Sequence, residues 1–417
     1  MKDDTPGTFE VAIAGAGLAG ASLALRLARR GVKVALLDPG RFPREKVCGE
    51  FLSPECWGVL ARLGLAEDVT RSGYHPIRRV RLSTPGGREV TAGVAGPDGL
   101  PGIGLSRSFL DDLIVRRARE AGAEVFQATR VGGAISEDGR VVGIHARGAE
   151  TGPIEVRAAL TVAADGRHSA LVKQTGRTRG RSWSRPRLFG LKRHFAAGNP
   201  GASEEAGTVG LHLIPGGYGG TCRIEGGSLN LCALLPESAL RGLRGDLDRV
   251  AAECLGRNPV LRRLLESGDP IGQWKTVAGV RVQVSTPGLP GILYAGDGQG
   301  TVDPLGGQGM TMALLGAELL APFAVRALAS TGGAGARLQA EYQALWRRRF
   351  DRRVTLCRAF HHLLVHPAII DLASGLGPVA SRFLAACFHQ TRDPDRSVQG
   401  PADSPQAVAA GSRRDLS

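Results

Sequence analysis

The residues best suited to chemistry in this chain present backbone rather than side-chain acids and bases. Gly15, Gly17 and Gly20 form a G-x-G-x-x-G pattern, with Leu18 and Ala19 between the last two glycines. The apolar run 11–14 leads into it, and the helical pattern 21–30 follows at once. A second apolar run, 32–37, then ends at Asp38. Strand, tight turn, helix, strand and terminal acid are the parts of a dinucleotide site. Gly15 permits the turn, Gly17 lets a pyrophosphate approach the backbone, and Gly20 lets the helix lie close to the strand. Free N–H groups at the helix N-terminus face the phosphates, and Asp38 is placed to accept hydrogen bonds from a ribose. The chain holds 60 glycines, so the alternative is a chance glycine-rich turn. The complete strand–turn–helix–strand context argues against it.

Other candidates are fewer. Asp303–Met310 is a second glycine-rich turn, ahead of a long apolar helical pattern. Pro304 bends this turn, and Gly307, Gly309 and Met310 in it would offer backbone donors to negative charge at a helix N-terminus. Cys48, beside Gly49, follows Lys46, and a neighbouring cation lowers a thiol pKa. Its alternative is the usual one for a free cysteine, a small buried hydrophobe. His212 lies in an apolar, strand-like run and is a candidate to face a pocket. His168 and His194 read as structural. We find no catalytic triad and no metal-ligand cluster, so no metal is expected.

The elements that must position these residues read as an α/β chain. Besides the first unit, a helix opens at the 106–111 segment, Ser-Arg-Ser-Phe-Leu-Asp, and a hairpin is expected through Glu137-Asp138-Gly139. A buried strand, 160–164, runs into Asp165-Gly166, and another, 291–295, enters Gly296-Asp297. Between these, 211–235 reads as an antiparallel sheet with a helical insert at 237–267. The nucleotide-binding segments are therefore discontinuous, 9–70, 101–185 and 285–330. Segments 71–100 and 186–284 form an inserted substrate-binding β-sheet domain, 335–395 a helical region, and 396–417 a polar tail expected to be disordered.

Composition narrows the class. The chain has 417 residues, 42% hydrophobic and 22% charged, with a net charge of +14. Those values suit a globular chain of more than one domain. The arginines are dispersed, and no zinc spacing, aromatic–basic motif or recognition helix accompanies them, so nucleic acid is not expected as a partner. Seven scattered cysteines with no C-x-x-C pair point to reduced thiols. With a polar N-terminus and no apolar run of about 20 residues, the expected location is cytoplasmic. In the C-terminal region Trp346, Phe350, Val354, Phe360 and Leu364 recur at helical spacing, with Arg347, Arg348, Arg349, Arg352 and Arg353 between them. One reading is an amphipathic helix packed on the body with a solvated basic face. The other, kept open by the apolar run 363–370, is a peripheral membrane contact.

Three strand ends, GAGLAG at 15–20, Ala164-Asp165-Gly166-Arg167-His168-Ser169 and Ala295-Gly296-Asp297-Gly298, together resemble the FAD-containing family of aromatic hydroxylases. The segment 42–54, Phe-Pro-Arg-Glu-Lys-Val-Cys-Gly-Glu-Phe-Leu-Ser-Pro, is similar to the Cys-Gly segment of its geranylgeranyl-reductase-like branch. The resemblance covers about residues 9–330. It implies a Rossmann-type FAD-binding domain, with an inserted antiparallel β-sheet substrate domain and C-terminal helices. Gly15, Gly17 and Gly20 would surround the FAD pyrophosphate and Asp38 the adenosine ribose. Arg107 would reach the diphosphate and ribitol, and Val131, ending the next strand, would contact adenine through its backbone. Asp165 and Gly166 would lie near the diphosphate. Asp297, after Gly296, would accept from the ribitol, the 303–310 turn would meet the flavin N1/C2=O edge, and Cys48-Gly49 would lie near the ring.

The scarcity of side-chain catalysts fits a protein whose cofactor carries the hard chemistry. The expected activity is hydroxylation of a hydrophobic polyketide- or isoprenoid-derived aromatic through a flavin C4a-hydroperoxide. The alternative is a prenyl reductase of the geranylgeranyl or menaquinone type, saturating C=C bonds. A halogenase ranks lower, because Ile214-Pro215 stands without the Trp-x-Trp-x-Ile-Pro segment of that branch. A non-enzymatic FAD-binding protein is disfavoured by the intact 306–310 turn. No second G-x-G-x-x-G follows a strand, since Gly332-Gly333-Ala334-Gly335 lacks that context. The electron donor is thus NAD(P)H bound without its own domain, or a separate reductase. The oligomeric state is left open.

Overall fold

A computed structural model describes residues 8–94, 96, 99–175, 188–198, 206–240, 245–280, 288–330, 333–364 and 378–392. The expected tail, 396–417, and most of the apolar run 363–370 lie outside them. The chain begins with β1 (Phe9–Ala14), α1 (Leu18–Ala28), β2 (Val34–Leu37), β3 (Phe51–Leu52), α2 (Cys56–Arg62) and α3 (Ala66–Arg71). It continues through β4 (His75–Ile77), β5 (Arg79–Ser83), β6 (Glu89–Gly93) and β7 (Gly102–Gly104). Next come α4 (Arg107–Glu120), β8 (Glu124–Phe126), β9 (Thr129–Glu137), β10 (Arg140–Gly148), β11 (Gly152–Ala163) and the short α5 (Ala170–Gln174). A β-rich stretch follows, with β12 (Leu188–Phe195), β13 (Thr208–Ile214), β14 (Gly217–Arg223), β15 (Leu229–Pro236), α6 (Leu247–Cys254), α7 (Pro259–Ser267) and β16 (Pro270–Val280). The last elements are β17 (Ile292–Tyr294), α8 (Gly309–Ala329), α9 (Ala336–Leu364) and α10 (Pro378–Gln390).

The first sheet has the order β8-β2-β1-β11-β10-β9, with β17 also on β11. β8, β2, β1, β11 and β17 are parallel. β1 and β2 are almost continuously apolar because α1 covers one face and residues of β9, β10 and α5 pack on the other. β11 serves two pairings: residues 152–157 pair antiparallel with β10, and 158–163 pair parallel with β1. The second sheet runs β16-β12-β15-β14-β13-β5-β6. It is antiparallel as expected except at β13–β5, which is parallel, because the chain returns to β5 from a distant segment. A third, small sheet, β3-β7-β4, bridges the two.

Helix α8 is long and apolar enough to cross a membrane. Its Leu314, Ala317, Leu320 and Ala324 are fully enclosed in the largest core cluster with α1, which accounts for its composition. On α9, Trp346, Phe350 and Val354 enter that same core. The basic face is not wholly solvated as expected: Arg353 is buried, donating to Glu55 and Gln308 at 2.9 Å each.

Candidate functional site

Three glycines of one motif have different surroundings. A Cβ on Gly15, whose φ is +97°, would meet the Ala164 carbonyl oxygen at 2.4 Å, and one on Gly20 would meet the Gly15 carbonyl oxygen at 1.9 Å. Both are glycine because the protein packs on itself there. Gly17, the N-cap of α1, has no such neighbour. The nearest atoms to its Cβ position are Lys46 Nζ at 3.7 Å and Arg107 Nη2 at 3.8 Å. Open space at a helix N-terminus, walled by two cations, is the geometry of a phosphate cradle.

The cations are held there at a cost. Arg107 opens α4 and donates from Nε and Nη2 to both oxygens of Asp111, at 2.7 and 2.8 Å. Burial pulls its pKa down, but Asp111 more than offsets this and keeps the guanidinium charged. Lys46 has solvent-accessible surface, yet protein encloses it, because the surface it exposes faces the cavity. Burial, then the charges of Arg107 and Arg44, lower its pKa. An anion bound between them would relieve that repulsion. Asp38 is buried and already braces this region. Its Oδ2 accepts from the Ala16 N–H at 2.8 Å and its Oδ1 from the Gly40 N–H at 2.8 Å.

From Gly17 a cavity of about 290 Å³ extends between the two large sheets, the size of a small-molecule site. Leu18, Ala19, Cys48, Gly49, Arg107, Gly166, Gly296, Asp297, Pro304, Gly307, Gly309 and Met310 all border it. Sequence segments as far apart as Leu18 and Met310 are thereby brought to one wall. Asp297 pairs with Arg167 at 3.3 Å. The second glycine-rich turn is shaped by Asp303, whose Oδ1 accepts from the Leu305 N–H at 3.0 Å, and by Gly307 at φ +63°. Gly309 then opens α8.

Not every expected residue arrives at the cavity. Asp165 stands behind Gly166, where its Oδ2 accepts from the Ala170 N–H at 3.1 Å at the start of α5; burial pushes its carboxyl pKa up. Val131 does not end a strand. It is the third residue of β9, because Ala128, at φ +50°, breaks the run after β8. His212 is corrected outright. Strand alternation sends Leu211 toward the cavity and His212 to the opposite face, toward α7. There it is fully buried, with Nδ1 2.8 Å from Ser83 Oγ and Nε2 2.8 Å from Thr221 Oγ1.

The principal residue missed by sequence reasoning is Glu50. It sits at φ +57° directly after Cys48-Gly49 and is fully buried. Its Oε1 accepts from Lys192 Nζ at 2.6 Å and from the Arg107 N–H at 2.8 Å. Its Oε2 accepts from His194 Nε2 at 2.7 Å. Burial alone would raise the Glu50 pKa, but the His194 hydrogen bond and the Lys192 charge bring it below the usual range. One carboxylate thus ties the Cys48 loop to α4 and to β12 of the second sheet. The available signal was Lys192, a fully buried lysine on β12 next to Arg193 and His194. Two others had no local signal: Tyr218 on β14 and Arg392 after α10, both bordering the cavity.

The donor set, the open cradle at Gly17 and the enclosed Lys46 fit a dinucleotide with an anionic diphosphate. Residues 8–189 match the family described as the FAD binding domain. The chain is 30% identical over 330 residues to a menaquinone reductase of Mycobacterium tuberculosis, covering 75% of this chain and 76% of that protein. It is 32% identical over 170 residues to 6-methylpretetramide 4-monooxygenase of Streptomyces rimosus, covering 40% of each. Among solved structures, a geranylgeranyl bacteriochlorophyll reductase-like protein from Thermoplasma acidophilum superposes with a TM-score of 0.72 at 22% identity, covering 88% of this chain and 91% of that one. The cofactor the cradle accommodates is FAD, and the chain belongs to the FAD-dependent oxidoreductase superfamily, in its geranylgeranyl-reductase-like branch.

Proposed function

We propose that this flavoprotein hydroxylates an apolar, electron-rich aromatic molecule bound in the cavity between the flavin-facing turn and the second sheet. The observation that carries the reading is the character of that wall. Leu211, Leu234, Val277 and Val280 make it apolar, and its polar groups are hydrogen-bond donors rather than an acid–base pair at a reacting carbon. FAD supplies the redox chemistry, including activation of O₂. The chain's part is to hold the ring, exclude water and orient it. Arg107 and Lys46 anchor the diphosphate, and the 303–310 turn presents backbone donors to the flavin. Electrons come from NAD(P)H or a separate reductase.

A second reading, saturation of C=C bonds in an isoprenoid chain, is favoured by the length of the similarity to menaquinone reductase and by the Cys48 thiol in the cavity wall. The two divide on oxygen. Turnover of an aromatic substrate with stoichiometric O₂ uptake supports hydroxylation. Equal turnover of a prenylated substrate under strict anaerobiosis replaces it with the second reading.

A further inference from the structure

Two polar groups bordering the cavity lack the partners that the rest of the interior has. Lys192 is matched by Glu50, Arg107 by Asp111 and Arg353 by Glu55. Arg392 is different. Its guanidinium lies over the Phe388 ring and donates to neutral oxygens only: the carbonyls of Phe388 and Gly306 and the Thr391 hydroxyl. Its Nε is buried with no partner, and no carboxylate pairs with it among the described residues. Burial draws its pKa down to about 9, with the nearby Glu55 charge only partly offsetting. The second group is Tyr218. Its side chain is 6% exposed and borders the cavity, packed among Leu188, Leu213, Leu234 and Val280. Its hydroxyl is buried without a partner among the described residues. A buried donor left unmade costs about 1–3 kcal/mol, and an unpaired charge more.

The placement of Arg392 is specific. α10 crosses β6 and lays Leu384, Ala385 and Phe388 against the cluster of Phe51, Val80 and Val94. This carries Arg392 to the Gly306 carbonyl, at the turn before α8. A cation is thus held at the wall of the cavity, beside the turn before α8.

We infer that Arg392, assisted by the Tyr218 hydroxyl, forms a subsite for an anionic oxygen on the substrate, a phenolate or carboxylate carried by an apolar body. This rests on the reading of the cavity as the substrate site and adds the charge of the molecule it takes. Arg392 is a specificity residue here: it neutralises the substrate oxygen while the apolar wall holds the carbon skeleton. An ionised phenol is also the electron-rich form of its ring.

The test uses the full chain with FAD bound and two probes of nearly equal shape, 2-naphthoate and its neutral amide 2-naphthamide, in equilibrium dialysis at neutral pH. Wild type is expected to bind naphthoate about 10-fold or more tighter than naphthamide, the scale of one charge-assisted hydrogen bond. R392Q should bring that ratio to about one with naphthamide affinity little changed, and R392K should keep most of the preference, as expected when charge rather than shape decides. Y218F should weaken both probes by about 3- to 10-fold through the lost hydrogen bond. Equal wild-type affinities, no binding of either probe, or a preference that survives R392Q and disappears in K46Q would each overturn the inference. The wild-type ratio needs no variant to fold. Oxygen dependence of turnover is measured separately, so hydroxylation can fail while the anion preference stands, and the reverse.

Discussion

The two walls of the cavity are built from different materials. The wall of the first sheet works through backbone: Gly17 at the start of α1, Gly296 after β17 and the Gly307–Gly309 turn before α8. The facing wall works through side chains of β13, β14, β15, β16 and α10 that approach from far along the chain. Backbone donors are set by turn geometry and serve any member of the family that binds the same cofactor. Side chains on a sheet face can be exchanged without changing the strand, so under the proposed function the facing wall would be where the substrate is chosen. Glu50 stands at the joint, accepting from α4 on one side and from Lys192 and His194 on the other.

The largest expected effect comes from breaking that joint. Glu50→Gln leaves the fully buried Lys192 ammonium unpaired and should cost about 3–5 kcal/mol of stability, read as a lowered thermal midpoint. The pH dependence has a definite sign. Because the folded Glu50 pKa lies below its unfolded value, its contribution is complete above the ordinary glutamate range. It is lost as pH falls from that range through the depressed folded value. The wild-type margin over Glu50→Gln should therefore be constant near neutrality and shrink in acid. A margin that instead grows in acid contradicts the assignment.

Next is the backbone wall itself. Gly17→Val should fold, since the position has room, but lose about 100-fold in FAD affinity by filling the cradle; flavin content after gel filtration reads this. Full flavin content in that variant would remove the phosphate role from α1. Gly20→Val should behave differently and fail to fold, because its side chain meets the Gly15 backbone.

A smaller effect separates the two faces of the second sheet. His212→Leu breaks hydrogen bonds to Ser83 and Thr221 behind the wall and should cost about 1–3 kcal/mol of stability. Turnover per folded molecule should stay as in wild type, and a selective loss of turnover would return His212 to the site. The smallest effect tests the side chain that interrupts the backbone wall. Asp297→Ala should weaken FAD retention by about 10-fold, the value of one hydrogen bond to a charged group. Normal retention would leave Asp297 only its ion pair with Arg167.

Legibility in the sequence followed the same division. The strand–turn–helix unit around Gly15–Gly20 and the turn before α8 are local, and their periodicity and glycine spacing are visible within about 30 residues. The His212 error was one of phase. An apolar run shows that a strand is buried, but with both faces covered it does not show which face meets the cavity. Val131 was misplaced because an alanine at positive φ, Ala128, left no glycine to mark the break. Glu50 lies inside the segment 42–54 with no role legible there, since its meaning depends on Lys192, 142 residues away.

The sequence by itself determined the α/β class and the glycine-rich strand–turn–helix unit of a dinucleotide site, because these depend on short-range turn geometry and on apolar periodicity. Only the tertiary structure decided which charges are matched. Glu50 neutralises Lys192, Asp111 holds Arg107, and Arg392 finds no carboxylate among the described residues. Pairing in a low-dielectric interior depends on distances of a few ångströms between segments that the chain keeps hundreds of residues apart.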